Sequence, residues 1–342
     1  MKILVIGPSW VGDMVMAQSL FIALKQRDPD ADIHVLAPAW CKALLGHMPE
    51  VTSAIEMTVG HGELGLSKRR ALAKKLRMEN FAQAIILPNS FKSALIPWFA
   101  GIPLRTGWRG EARSWLLNDC RVLDKKTYPL MVERFVALAF PAGAALPAPL
   151  PRPALSINNQ SRDVTLQKFS LKRATPVLVL CPGAEFGEAK KWPAGSYAEV
   201  ASNWLENNGQ VWILGSAKDG ESAKGILSVV GQSHHDLCKD LTGQTTLSEV
   251  IELMSCADRV VSNDSGLMHN AAALGRLLVV VYGSTSPAFT PPLAQQVKIV
   301  SLDLDCSPCF KRTCPLGHTN CLKQLDPDKV ILALAQLQEM GK

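Results

Sequence analysis

A short apolar run that ends in a Pro-containing turn occurs twice in this sequence, and this repeat constrains the fold more than any other feature. The first copy, Ile-Leu-Val-Ile-Gly-Pro, covers residues 3–8, and the second, Val-Leu-Val-Leu-Cys-Pro-Gly, covers residues 177–183. Such runs are typical of strands that are buried on both faces. Each copy is followed by a glycine-containing loop and an acidic residue. We therefore expect two domains that begin with the same unit.

Strand and helix patterns alternate after each copy. In the first half, predicted strands at 2–6, 33–36 and 84–87 are separated by predicted helices at 13–25 and 68–77. The second half adds predicted strands at 211–214, 259–262 and 277–282 and a predicted helix at 247–256. This alternation implies parallel sheets with crossover helices. The predicted fold class is α/β, with two Rossmann-like domains facing across a cleft.

The length and the distribution of proline suggest where the domains divide. A chain of 342 residues is too long for one ordinary core. A Pro-rich stretch and then a polar stretch occupy the middle of the chain, as is usual for a linker. We expect an N-terminal domain over 1–155, a linker over 156–175, a C-terminal domain over 176–325 and a final helix over 326–342. Asp326-Pro327 would begin that helix, and its apolar stripe would pack back on the protein.

Composition and charge narrow the class of protein. Hydrophobic residues make up 47% and charged residues 19%, which excludes disorder. No apolar run reaches the ~18 residues of a membrane span, and the first residues do not resemble a secretory signal, so we expect a soluble cytoplasmic chain. Residues 1–155 hold 19 basic and 12 acidic residues, whereas residues 156–342 are nearly balanced. The first half therefore faces an anionic partner: nucleic acid, a membrane surface or a phosphorylated substrate.

The loop after the first strand carries a candidate catalytic carboxylate. Gly7 and Gly12 have the spacing of a phosphate loop, but Asp13 and Met14 stand where a Walker A motif needs Lys and Ser or Thr. Neither an NTPase nor a nicotinamide enzyme is supported. Asp13 is either a residue that stabilises the helix N-terminus or a general base.

The loops after strands of the second half carry candidate ligands for a nucleotide. Lys190 and Lys191 end a glycine-containing loop, which suits a diphosphate, although an ordinary basic turn would look the same. Asp219 or Glu221 follows the strand at 211–214, where an acidic residue commonly holds ribose hydroxyls, and helix capping explains both nearly as well.

A second loop of this half, at 262–269, predicts an anion site. Ser265 and Gly266 would begin a helix whose backbone N–H groups bind anions. Asp264 is a candidate N-cap, and His269 faces either a ligand or the core.

Four of the nine cysteines are clustered near the C-terminus. Cys306, Cys309, Cys314 and Cys321, with His318 among them, are dense enough to bind structural zinc, although their spacing is not that of a common finger. Reduced structural thiols are the alternative. The five scattered cysteines are expected to be small buried hydrophobes.

Five motifs in this order resemble glycosyltransferase family 9, the bacterial lipopolysaccharide heptosyltransferases. They are Gly12-Asp13, Pro182-Gly183, Lys190-Lys191-Trp192-Pro193, Leu241-Thr242-Gly243 and Asn263-Asp264-Ser265-Gly266 through His269. The resemblance covers almost the whole chain. It implies a GT-B fold and an inverting transfer of heptose from ADP-heptose that requires no metal or other cofactor. The acceptor would be the first heptose on the Kdo–lipid A inner core, an anionic lipid-linked molecule.

The resemblance also implies roles for individual residues. Asp13 would take the proton of the acceptor hydroxyl, and Lys190 would stabilise the departing ADP. The donor would contact Ser9, Gly12, Gly183, Lys191, Asp219, Glu221, Thr242, Asp264, Ser265, Gly266 and His269. The acceptor would contact Asn89, Ser90, Arg105 and Arg109.

Three alternatives stay open at this point. Transfer onto Kdo would use most of the same loops, and so would a nucleotide-sugar enzyme such as an epimerase. Nucleic-acid binding would use the basic helix at 68–77, but that helix has no interleaved aromatic residues. The resemblance implies a cytoplasmic protein in peripheral contact with the inner face of the inner membrane.

Overall fold

A computed structural model describes residues 1–60, 62–231, 234 and 236–340 of the chain, without the side chains of residues 338–340. The chain divides into two compact units, Met1–Ala154 and Leu155–Lys342. Within the described residues each unit contains one six-stranded sheet, and every strand pair is parallel. The α/β class with two Rossmann-like domains is confirmed.

The first unit has the strand order β3-β2-β1-β4-β5-β6. Its strands are β1 (Lys2–Ile6), β2 (Asp32–Ala37), β3 (Val51–Glu56), β4 (Gln83–Ile86), β5 (Leu104–Trp108) and β6 (Asp119–Arg121). Its helices are α1 (Val11–Arg27), α2 (Cys41–Leu45), α3 (Leu66–Arg77), α4 (Phe91–Phe99) and α5 (Met131–Val136). The order reverses between β1 and β4, so the loops that follow these two strands form the ligand-binding edge expected of such sheets.

The second unit repeats this topology with the order β12-β11-β10-β7-β8-β9. Its strands are β7 (Val177–Cys181), β8 (Gln210–Ile213), β9 (Cys238–Asp240), β10 (Arg259–Asn263), β11 (Leu277–Val281) and β12 (Val297–Val300). Its helices are α6 (Asn159–Lys168), α7 (Ala194–Glu206), α8 (Gly220–Val229), α9 (Leu247–Met254), α10 (Gly266–Ala273), α11 (Asn320–Lys323) and α12 (Pro327–Met340). The corresponding reversal lies between β7 and β10.

The predicted linker over 156–175 contains a helix, α6, that belongs to the second unit. The Asn158 side chain caps it by accepting hydrogen bonds from the backbone N–H groups of Gln160 and Ser161. Ser161 and Thr165 then donate to the buried carboxylate of Glu252 on α9. A polar sequence therefore forms a packed helix here, because its few inward hydroxyls satisfy a buried acid.

The final helix packs on the core of the second unit. Val330, Leu334 and Leu337 of α12 join the apolar cluster that contains α7 and one face of the sheet. Arg259 of β10 donates to the carbonyl oxygen of Leu334. The predicted apolar stripe is thus buried, while residues 341 and 342 of the predicted helix lie outside the described residues.

Candidate active site

Asn263, at the end of β10, holds the loop that follows β7. Its side-chain oxygen accepts from the backbone N–H of Trp192 at 3.2 Å and from the Tyr197 hydroxyl at 3.0 Å. Its amide nitrogen donates to the Pro182 carbonyl oxygen at 2.6 Å. Sequence reasoning did not assign this residue a role of its own. A polar residue that ends a fully buried strand is the signal that indicates it.

Lys190 and Asp264 form a buried ion pair across the two neighbouring loops. The Lys190 Nζ lies 2.6 Å from Asp264 Oδ2, and the two side chains are only 13% and 5% exposed. The Thr285 hydroxyl donates to the same carboxylate oxygen at 2.5 Å. Asp264 is therefore not the N-cap of α10, a position that Ser265 occupies. The pair instead places a lysine cation beside the start of that helix.

The N-terminus of α10, where the sequence predicts an anion site, lies beside this ion pair. Ser265 precedes it in extended conformation, and its side chain makes no capping hydrogen bond. The first N–H groups of an α-helix lack intrahelical partners and favour negative charge. Together with the ammonium of Lys190, they give this edge of the sheet the chemistry that binds a diphosphate.

Lys191 points to a different partner from Lys190. Its Nζ lies 2.8 Å from the carboxylate of Glu188, and this hydrogen bond raises the pKa of Lys191. Lys190 also lies 5.0 Å from the centroid of the Phe186 ring. Of the two lysines, Lys190 is the one that lies beside the N-terminus of α10.

The two candidate ribose acids differ in what they contact. The Asp219 carboxylate accepts from the backbone N–H and the hydroxyl of Ser216, both at 2.9 Å, and is 7% exposed. A Cβ on Gly183 would come within 3 Å of it, which explains the glycine there. Glu221 is exposed in the first turn of α8. Asp219 is thus a structural residue of this loop, and Glu221 is the acid that faces solvent.

Thr242 follows β9 at the same edge of this sheet. Its N–H and its hydroxyl both donate to Asp240 Oδ1, at 2.9 and 2.6 Å. The next residue, Gly243, has a φ of +69° and packs on Ala217. These contacts fix the turn, and they give the Leu-Thr-Gly motif a structural reason.

His269 lies in the core side of α10 and is 6% exposed. Burial lowers its pKa to about 4, and the charge of Asp264 opposes this shift only in part. The imidazole is therefore neutral at physiological pH, so His269 supplies no positive charge to the site.

His269 also makes stability depend on pH. Its folded pKa of about 4 lies below the ordinary value of 6.5. Its contribution to the free energy of unfolding is therefore complete above pH 6.5 and is lost as the pH falls toward 4. The loss reaches about 3 kcal/mol. We expect the free energy of unfolding, measured in urea between pH 7 and pH 4, to depend less on pH in His269→Asn than in the parent. His318→Asn is the control, and an equal change in both variants would contradict this assignment.

The candidate base lies in the first turn of α1. Asp13 is half-buried beside the buried Gly12, at the point where β1 ends and α1 begins. The carbonyl oxygen of Ser9 accepts from the Trp40 indole N–H at 3.2 Å. The loop is thereby fixed by its backbone, and Asp13 occupies the switch-point edge of the first sheet.

The loop after β4 is organised by a buried arginine. Arg113 is fully buried and donates to the carbonyl oxygens of Pro88 and Trp108 and to the Asn89 side-chain oxygen, the last at 3.1 Å. Burial lowers its pKa to about 10. The predicted acceptor residues Asn89 and Ser90 therefore lie in a braced loop next to the Asp13 edge of the same sheet.

The two other predicted acceptor residues behave differently from each other. The Arg105 guanidinium donates to the carbonyl oxygens of Leu116 at 2.7 Å and Ile102 at 2.5 Å, so it braces the backbone. These two carbonyls lie on either side of β5 and take up donors of the guanidinium, and the contact of Arg105 with the acceptor stays a prediction. Arg109 is exposed, and only its backbone N–H is bonded among the described contacts.

The four clustered cysteines line one small cavity of about 20 Å³. His318 and Ser284 line it too, and the Ser284 hydroxyl is buried without a hydrogen-bond partner. Backbone N–H groups, that of Thr319 foremost, lower the pKa of Cys314. Within the described residues, no three His, Cys, Asp or Glu side chains form a group that would hold a metal ion. All nine cysteines are free thiols in the structure.

At equivalent edges of the two parallel sheets, one carries a lysine beside a helix N-terminus and the other carries a carboxylate. The protein is a glycosyltransferase with the GT-B fold. Residues 69–320 match the model of glycosyltransferase family 9 (heptosyltransferase), and the chain belongs to this family.

Relatives of known name are similar over the full length. Lipopolysaccharide heptosyltransferase 2 of Escherichia coli is 48% identical, with 98% of each chain covered. Lipooligosaccharide heptosyltransferase 2 of Haemophilus influenzae is 47% identical, with 88% of this chain and 89% of the relative covered. The solved structure of E. coli ADP-heptose lps heptosyltransferase II superposes with a TM-score of 0.91 at 46% identity, covering 100% of this chain and 99% of that one. Among the described helices, none has the length and hydrophobicity to span a bilayer.

Proposed function

We propose that this protein transfers L-glycero-D-manno-heptose from ADP-heptose onto the first heptose of the Kdo2–lipid A inner core, with inversion at the anomeric carbon. The observation that carries the proposal is the buried Lys190–Asp264 pair at the start of α10, in a chain that belongs to family 9. The printed names of the relatives, heptosyltransferase 2, favour a heptose acceptor over Kdo.

The second unit would hold the donor. The N–H groups at Ser265 and Gly266 and the ammonium of Lys190 would bind the diphosphate and stabilise its negative charge as it leaves. Lys190 would exchange part of its interaction with Asp264 for the phosphate oxygens. No step requires a metal ion, because the lysine and the helix N-terminus together offset the charge that develops on ADP.

The first unit would supply the base. Asp13 would take the proton of the attacking acceptor hydroxyl while the new bond from that oxygen to the anomeric carbon forms. In the same displacement, the bond between the anomeric carbon and the terminal phosphate oxygen of ADP breaks. ADP leaves with the electron pair, and the configuration at the anomeric carbon is inverted. Asn89, Ser90 and Arg109 would contact the acceptor, a phosphorylated lipid-linked glycan that keeps the enzyme peripheral at the inner face of the inner membrane.

Calorimetric titration with ADP, AMP and NAD, with and without EDTA, tests the donor assignment. We expect ADP to bind more tightly than AMP, because the second phosphate reaches Lys190 and the start of α10. EDTA should leave the ADP affinity unchanged. Binding that needs metal, or no ADP binding at all, would contradict the assignment and favour another nucleotide-sugar enzyme.

The exposed carboxylate of Glu221 gives a separate test of ribose recognition. A carboxylate that accepts hydrogen bonds from ribose hydroxyls contributes about 1.5–3 kcal/mol, so Glu221→Gln should weaken ADP binding by roughly tenfold. Asp219→Asn should instead lower the free energy of unfolding, because its carboxylate accepts both bonds from Ser216. Glu206→Gln is the matched control at an exposed position. The reverse pattern, with ADP affinity lost only in Asp219→Asn, would assign the ribose to Asp219.

A further inference from the structure

Four aromatic side chains of the first unit form a cluster that the proposed chemistry does not use; two of them, Trp98 and Trp115, are exposed, and the two phenylalanines beneath them are half-buried against the core. We call Phe91, Trp98, Phe99 and Trp115 the aromatic surface. The rings of Trp98 and Trp115 meet edge to face at 5.6 Å, and their side chains are 40% and 62% exposed. Phe91 contacts Trp115, and Phe99 contacts Trp98. Clustered exposed aromatic rings are typical of interaction surfaces.

Basic side chains of α3 border the aromatic surface. The Arg70 guanidinium lies 5.0 Å from the centroid of the Phe99 ring. Arg77 donates to the carbonyl oxygen of Phe99 at 2.6 Å. Lys74, four residues after Arg70, is exposed on the same helix face. We call Arg70, Lys74 and Arg77 the basic row, and it places cations directly beside exposed indole rings.

The charge around these two features is strongly one-sided. Residues 68–115 contain ten basic and two acidic residues. Glu79 is paired with Lys2 at 2.7 Å, and Glu111 accepts from the backbone N–H of Phe91. Neither acid offsets the basic row. The partner that fits is therefore anionic and offers an apolar layer beneath its charges, which is the chemistry of an anionic phospholipid bilayer.

We propose that the aromatic surface and the basic row dock the first unit on an anionic bilayer, with indole rings at headgroup depth and the α3 cations against lipid phosphates. The surface is continuous with the proposed acceptor loop. Phe91 directly follows Ser90, and Arg113, which donates to Asn89, lies two residues before Trp115. This link to the acceptor rests on the proposed function, whereas the lipid binding does not.

Co-sedimentation of the full chain with vesicles measures the docking. We use vesicles of phosphatidylglycerol with phosphatidylcholine and vesicles of phosphatidylcholine alone. Each basic residue near an anionic surface contributes about fivefold to partitioning, so Arg70→Glu/Lys74→Glu should lower binding by at least about tenfold. Trp98→Ala/Trp115→Ala should lower it by about tenfold as well.

Matched controls separate a docking surface from general attraction. Lys125→Glu/Lys126→Glu makes the same charge change at an adjacent exposed pair of the same unit and should keep binding within about threefold of the parent. Trp40→Ala, which removes an indole that is 54% exposed, should also keep it. Equal losses in Arg70→Glu/Lys74→Glu and in the Lys125/Lys126 control would overturn the proposal, and so would equal binding to both kinds of vesicle. If the double tryptophan variant fails to fold, the comparison of these two charge-reversed pairs decides.

The failure of this proposal is distinguishable from failure of the proposed function. ADP titration of the same preparations reports on the second unit. Normal ADP binding without vesicle binding would overturn the docking surface alone. Vesicle binding that follows the variants in a chain that binds no ADP would leave the surface and overturn the donor assignment.

Discussion

Replacing Asp13 with asparagine is expected to lower kcat by about 10³-fold, since general-base catalysis contributes 10²–10⁴-fold. The affinity for ADP-heptose should change by less than about twofold, because the base acts on the acceptor in the chemical step. Single-turnover kinetics with saturating acceptor and titration with ADP-heptose measure the two effects separately.

Stability measurements separate this role from a merely structural one. A carboxylate in the first turn of a helix contributes up to about 1 kcal/mol through the helix dipole. The free energy of unfolding of Asp13→Asn, measured in urea, should therefore lie within about 1 kcal/mol of the parent value. Asp30→Asn, an exposed position of the same unit, is the matched control and should keep full activity. Full turnover in Asp13→Asn, or a loss explained by unfolding, would remove Asp13 as the base.

Lys190→Ala is expected to lower the free energy of unfolding, the affinity for ADP and kcat together. Removing one partner of a buried ion pair leaves an uncompensated charge, here the carboxylate of Asp264, and such a change costs about 3–5 kcal/mol. Loss of the charge that stabilises the departing diphosphate should lower kcat by about 10²–10³-fold. Urea unfolding, ADP titration and steady-state kinetics measure the three effects.

A double variant separates the structural cost from the catalytic one. Lys190→Ala/Asp264→Asn removes both charges and should recover most of the free energy of unfolding, but not turnover. Lys191→Ala is the matched control, because Lys191 pairs with the exposed Glu188 instead. If Lys191→Ala lost turnover and Lys190→Ala kept it, the diphosphate contact would belong to Lys191.

The parts of the fold that depend on local patterns could be predicted from the sequence. β1 and β7 lie at the predicted apolar runs, because strands buried on both faces need continuous apolar residues. The loops that follow them lie at the switch points of the two sheets, because parallel α/β topology determines that edge. Asp13 and Lys190 were predicted as site residues in this way, and their roles stay predictions. Helix α6 was missed because its sequence shows no apolar stripe: a single Leu166 packs on the core, and the hydroxyls of Ser161 and Thr165 bind Glu252.

The pairings inside the site could not be predicted, because they join segments that are distant in sequence. In the sequence, Asp264 is a candidate N-cap, but in the structure its carboxylate pairs with Lys190 and accepts a hydrogen bond from the Thr285 hydroxyl. In the sequence, Asp219 and Glu221 are equivalent candidates for ribose binding, but in the structure the Asp219 carboxylate accepts both hydrogen bonds from Ser216. Arg105 likewise satisfies backbone carbonyls. Each case depends on which polar group needs a partner after folding, and a single sequence does not encode that as a pattern.

The most direct test of the proposed function compares the products formed from two acceptors that differ by one sugar. The purified chain is incubated with ADP-heptose and either Kdo2–lipid A or the same lipid carrying one heptose, and the lipids are analysed by mass spectrometry. We expect only the heptose-bearing lipid to gain one heptose, with release of an equal amount of ADP. Transfer onto Kdo2–lipid A itself, or turnover of the nucleotide sugar without any lipid product, would contradict it.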